Sequence, residues 1–150
     1  MNATKAPLMV TDTIAPAQVA VVQSSFRDVL PVAEAAGILL YERIFTLAPE
    51  TRTLFDADIR PQAVRLMGAV KTAVENLHQV HVAEPFLVKL GARHVRYGVR
   101  PEHFDVAAEA LLWTLEQGLG EAFTPEVREA WTAAWNVMAA AMTAGMLTVG

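Results

Sequence analysis

Seven of the eight prolines in this chain, at positions 16, 31, 49, 61, 85, 101 and 125, stand at the borders of stretches whose apolar residues return every three or four positions. Proline fixes φ near the helical value and has no N–H to donate, so it suits a first helical turn and breaks a helix interior. A chain punctuated in this way folds as a series of helices joined by short corners. No stretch alternates apolar and polar residues as a half-buried strand would, and no internal repeat is visible, so the class is all-α.

Pro16 opens a first helix with Val19, Val22, Phe26 and Val29 or Leu30 on its apolar face, and Pro31 marks the next corner. A second helix spans about 33–46 and carries Leu40, Tyr41, Ile44 and Phe45. Pro49 starts a short turn of helix ending near Leu54 and Phe55, followed by a polar loop, Asp56 to Asp58. Pro61 opens a helix to about Asn76, with Gln62, Leu66, Ala69, Val70 and Ala73 in register. A looser segment, His78 to Glu84, leads into a helix from about Pro85 to His94, with Leu87, Leu90 and His94 on one face, and Tyr97-Gly98-Val99 breaks it. Pro101 begins a helix lined by Phe104, Ala108, Leu111, Leu115 and Leu119, which ends in the region Gly118 to Gly120. The last helix has Thr124 as N-cap, Pro125 as its first residue and Glu126 in its first turn, with Val127, Trp131, Trp135, Met138 and Met142 descending one side. Residues 1–13 lack the apolar middle of a secretory signal and read as a mobile tail, leaving 14–150 as one domain. The apolar stretch from Ala133 to Val149 is interrupted by Asn136, Thr143 and Thr148 and reads as a buried helix rather than a membrane span.

At 150 residues the chain can bury a core without cross-links, and it has no cysteine, which excludes disulfides, thiolate metal sites and cysteine nucleophiles and fits a reducing, cytoplasmic setting. The net charge of −4, with 12 scattered basic residues, excludes a nucleic-acid footprint. HExxH, a pair of Glu-x-x-His motifs, Gly-rich phosphate loops and Ser-His-Asp sets are absent, so the four histidines carry what chemistry remains. His94 ends an apolar stripe, whereas His78, His81 and His103 do not and read as surface residues. Taken alone, such a histidine is more often a hydrogen-bonded, partly buried side chain than a ligand.

The segments LLYERIFTLAPETRTLF (39–55), QAVRLM (62–67), LGARHVRYGVRPEHF (90–104), ALLWTLEQGLG (110–120) and FTPEVREAW (123–131) resemble those of bacterial single-domain haemoglobins and the globin half of flavohaemoglobins. The resemblance runs over nearly the whole chain after residue 15 and implies a three-over-three helical sandwich around a pocket for haem b. It implies that His94 is the proximal iron ligand, that Phe55 packs on the haem, and that Tyr41, Gln62 and Leu66 line the distal side. Gln62 and Leu66 are four apart on one helix face, in keeping with a shared pocket. A phenol and an amide directed at dioxygen stabilise the partial negative charge it acquires on binding, by roughly 2–4 kcal/mol together. Apart from the resemblance, the alternative for Tyr41 is an inward-facing core tyrosine bonded to a carbonyl, and Gln62 reads more readily as a first-turn surface residue. Arg65, and less strongly Arg93 and Arg96, are candidate partners for a haem propionate. The flavohaemoglobin pattern places a tyrosine and a glutamate near the proximal histidine, where this chain has Phe104 and Met146, so a neutral imidazole bonded through Nδ1 to a backbone carbonyl is expected.

The expected function is reversible binding of dioxygen, and also of carbon monoxide and nitric oxide, at a pentacoordinate iron, as in oxygen transport. One alternative is an enzyme that oxidises nitric oxide to nitrate with a separate reductase, since no flavin or nicotinamide site is present. The other is a haem-free helical interaction or sensor module.

Overall fold

The prolines at positions 16, 61 and 125 each lie in the first turn of a helix, where their missing N–H leaves no bond unmade. The computed structural model describes residues 14–96, 98–100 and 102–149. Six α-helices follow in order among them: α1 (Pro16–Val29), α2 (Ala33–Leu47), α3 (Arg60–Glu75), α4 (Val80–Arg96), α5 (His103–Leu119) and α6 (Pro125–Val149). Short 3₁₀ turns at Leu30–Val32, Pro49–Leu54, Leu77–Gln79 and Gly120–Ala122 make most of the corners, and no strand occurs among the described residues. The expected tail (1–13) and the expected helix start at Pro101 lie outside the described residues.

Termini follow the local chemistry. Val127 donates its N–H to Thr124 Oγ1 (3.3 Å), so Thr124 does cap α6. Gly98 (φ +86°) and Gly120 (φ +57°) take the left-handed conformations that follow α4 and α5, which a side chain would oppose. The start of α4 differs from expectation. The helix begins at Val80 and runs through Pro85, which was expected to open it. Pro85 removes one N–H that would have reached the His81 carbonyl, and the loss is tolerated because this first turn is exposed at His81 and Val82, where water replaces the bond.

The apolar stripes meet in one core. Val19, Val22, Phe26 and Val29 of α1 are buried with Trp131, Ala134, Met138 and Met142 of α6. Trp131 is wholly buried; its ring lies 6.1 Å from that of Phe26 and its indole N–H donates to Ser25 Oγ at 2.9 Å. This pairing satisfies a donor that would otherwise cost about 1–3 kcal/mol to bury. No helix among the described residues is long and apolar enough to cross a membrane.

Two helix crossings are close enough to need glycine. At Gly37 of α2, an added Cβ would press on the Ala63 backbone and the Met67 side chain of α3. Between α4 and α6 the demand is mutual. A Cβ at Gly91 would collide with the Met142 carbonyl, and one at Gly145 with the Val88 carbonyl. Helix α4 thus lies along α6 and meets α3 at only a few points. Gly91→Ala is expected to destabilise the fold in urea by about 2 kcal/mol or more, since backbone rather than a flexible side chain must move. Gly68→Ala, in open space on α3, should stabilise it by about 0.5–1 kcal/mol. Equal effects of the two changes would contradict the tight crossing.

Candidate functional site

The candidate side chains come from four places. Helix α2 contributes Tyr41 and Phe45, the turn after it Phe55, helix α3 Gln62 and Leu66, and helix α4 Leu90 and His94. Tyr41 is buried (7% exposed), because Gly37 one turn earlier lets α3 close over α2. Its ring lies 5.1 Å from Phe55 and 6.1 Å from Phe45, and those two are 5.6 Å apart. Arg52 fixes this aromatic group from outside. Its guanidinium sits 4.9 Å over the Phe45 ring and donates to the carbonyls of Phe55 (3.3 Å), Asp56 (3.0 Å) and Ala57 (2.9 Å). Neither Phe45 nor Arg52 was singled out in the sequence, although Phe45 lies four residues after Tyr41 on the same helix.

Gln62 and Leu66 are both half-buried on one face of α3, as their spacing requires. Gln62 Nε2 donates to the Tyr41 hydroxyl oxygen at 3.4 Å, and Arg65 Nη2 donates to Gln62 Oε1 at 2.7 Å. Burial raises the Tyr41 pKa above the ordinary phenol value, with the Gln62 bond and the Arg65 charge acting against it, so the phenol keeps its proton at neutral pH. Among the described residues no carbonyl accepts that proton, which sets aside the alternative of a core tyrosine bonded to a carbonyl.

On α4, His94 is half-buried, and its Nδ1 lies 2.6 Å from the Leu90 carbonyl oxygen one turn earlier. That carbonyl can only accept, so Nδ1 carries the hydrogen and Nε2 points away from the helix backbone. Burial lowers the His94 pKa below the ordinary value; the Leu90 bond opposes this and the Arg93 charge adds to it, so the ring is neutral at pH 7. The Phe104 ring stands edge-on at 6.4 Å from the imidazole, and Met146 is buried. An apolar ring, that of Phe104, therefore stands beside the imidazole. Arg65 and Arg93 are exposed; the Arg96 side chain lies outside the described residues.

The other histidines divide differently from expectation. His78 and His81 are exposed, but His103 is largely buried, its side chain 12% exposed. Its place at the first turn of α5 is the cause: Nδ1 accepts the Arg100 N–H (3.1 Å) and the ring turns inward, 3.9 Å from the Glu50 carboxylate. A histidine next to the core residue Phe104 gives that signal only in hindsight. Trp113 and Trp135 are half-buried helix-contact residues, as expected, with the Arg43 guanidinium 4.7 Å over the Trp113 ring.

Residues 38–142 match the sequence profile of the Globin family. A neuroglobin from Tetraodon nigroviridis is 32% identical over 123 residues, covering 73% of this chain and 77% of its own length. One from Danio rerio is 33% identical over 123 residues. Among solved structures, a hexacoordinated haem protein from an anhydrobiotic tardigrade, at pH 4, covers 89% of this chain and 96% of its own, with a TM-score of 0.83 and 16% sequence identity. That likeness speaks to the fold.

A histidine kept neutral by the fold binds fewer protons than it does in the unfolded chain. The stability this gives is fully present above about pH 6.5 and is lost as pH falls through the lowered folded value. The protein without haem is expected to lose stability in urea between about pH 7 and about pH 5, with a shallower slope in His94→Phe. Parallel slopes would show that His94 is not buried as described.

Proposed function

Because the chain belongs to the globin family, we propose that it holds a haem in a slot between α3 and α4 through His94 and binds dioxygen and other small diatomic gases reversibly beneath Tyr41. The observation that carries this is the Tyr41 hydroxyl. It is buried, protonated, and fed by Gln62, with no protein acceptor for its own proton among the described residues. A donor left uncommitted in an apolar slot is costly unless something entering the slot accepts from it.

The residues present fit the cofactor. His94 is neutral and half-buried, with Nδ1 engaged by its own helix and Nε2 turned outward, which is the form that ligates a metal. The absence of cysteine leaves no thioether attachment, so the haem would be non-covalent, as haem b is. Phe55, Leu66 and Leu90 offer apolar surface to a flat macrocycle, and Arg65 and Arg93 lie exposed within reach of α3 and α4 respectively as candidate propionate partners. The haem supplies an iron with one position open to a diatomic gas.

A pentacoordinate resting site is supported by α3 itself. Residues 60–75 contain no histidine, and Gln62 and Leu66 hold the slot face, so that helix offers no imidazole for a sixth bond. Phe104 beside His94 favours gas binding over oxidative chemistry, because it cannot accept from the imidazole and make it a stronger electron donor. Nitric oxide oxidation remains the second activity this site would support, given an outside reductase.

Tyr41 and Gln62 act on the ligand by hydrogen bonding. A gas that becomes negative at its outer atom is held more strongly by the phenol proton, whereas carbon monoxide, which carries little such charge, is not. Tyr41→Phe in the haem-loaded protein should raise the dioxygen off-rate about tenfold or more, with a much smaller change for carbon monoxide. Gln62→Leu should act in the same direction more weakly, and the double variant should be less than additive. An unchanged dioxygen off-rate in Tyr41→Phe would remove the distal assignment. His94→Ala should lose most of its haem; a normal five-coordinate ferrous spectrum in that variant would remove the proximal one.

A further inference from the structure

We propose that Arg65 is a positioning residue for the distal site: by holding the carbonyl of Gln62 it sets which end of that amide meets Tyr41, and so aims the Tyr41 proton into the slot. It acts on the bound gas through Gln62 and does not touch the gas itself. The proposal rests on the assignment of Tyr41 as the donor to the bound gas.

An amide end can be exchanged with little change in shape, so a glutamine beside a phenol has two states. In one, Nε2 faces the phenol oxygen and donates to it, and the phenol proton is left for another acceptor. In the other, Oε1 faces the phenol and takes that proton, so the donor is consumed inside the protein. Arg65 distinguishes the two. A guanidinium has five donors and no acceptor, so the atom 2.7 Å from Arg65 Nη2 must be Oε1. Nε2 then lies on the Tyr41 side, at 3.4 Å from the hydroxyl. The bond at Arg65 is short and charge-assisted, while the bond at Tyr41 is long, so the stronger contact sets the state of the weaker one. Arg65 and Gln62 are three apart on α3, a spacing that brings their side chains together without help from the rest of the fold. The direction of hydrogen bonding is therefore Arg65 to Gln62 to Tyr41, and then to whatever enters. The positive charge of Arg65 also favours the phenolate of Tyr41.

The chain has two tyrosines, so Tyr97→Phe leaves Tyr41 as the only phenol and its ionisation can be followed by ultraviolet absorbance without haem. In that background Arg65→Leu should raise the Tyr41 pKa, and Arg65→Lys should restore it in part. The same Arg65→Leu change made on top of Gln62→Leu should have much less effect, because the intermediary is gone. In the haem-loaded protein Arg65→Leu should speed dioxygen release by about three- to tenfold with Gln62 present and by less than about twofold without it, leaving carbon monoxide release unchanged. Equal effects with and without Gln62 would overturn the proposal and show that Arg65 acts through its charge alone. Faster haem loss with unchanged dioxygen release would overturn it in favour of a propionate contact. Because the titration needs no haem, it can fail while Tyr41→Phe still changes dioxygen release, and it can succeed when Tyr41→Phe does not. Arg65 is exposed, so its replacement leaves the core in place.

Discussion

The backbone contact between α4 and α6 is what the rest of the structure depends on. Gly91 and Gly145 each present a bare Cα to a carbonyl of the other helix, and no side chain fits between them. This draws α4 onto α6, while α4 meets α3 at only a few points. Gly91 lies three residues before His94, so the same contact sets where the imidazole stands. In the globin fold, with its helices layered three over three, the proposed haem site lies between α3 and α4.

The opposite wall is built by a second close crossing, between Gly37 of α2 and Ala63 of α3. Gly37 is one turn before Tyr41, and Ala63 directly follows Gln62. One glycine therefore brings the phenol and the amide within hydrogen-bonding distance, while Arg52 gathers three carbonyls after the turn and keeps Phe55 against them. The polar groups of the site form a single line along α3 and α2. The rings of Phe45 and Phe55 lie against Tyr41 at its buried end and shield the phenol proton from water.

Much of this was legible before any coordinates. The helices at 16, 61 and 125 were marked by proline in a position where its chemistry is neutral, and the apolar stripes predicted the faces that are buried. Pro85 misled because a helix can pass through proline when the carbonyl it orphans is hydrated, and hydration depends on exposure, which sequence does not give. His103 misled for a related reason. A residue in the first turn of a helix can face outward or be drawn under it by a neighbouring backbone N–H, here that of Arg100. Among the relatives reported, those identified by sequence are neuroglobins, so membership of the globin family is what sequence comparison establishes, in agreement with the segments that suggested it.

The sequence by itself determined the helices, their order, the corners, the absence of thiol chemistry and the place of His94 at the end of an apolar stripe. Each of these follows from residues within one or two turns of each other, where spacing alone fixes geometry. Tertiary structure decided which helices touch, that Tyr41 lacks a carbonyl partner among the described residues, and which end of the Gln62 amide faces it. Those features join residues as far apart as 41 and 62 or 91 and 142. Their distances are set by how closely two backbones approach, which depends on the combined shape of many side chains and is encoded at no single position.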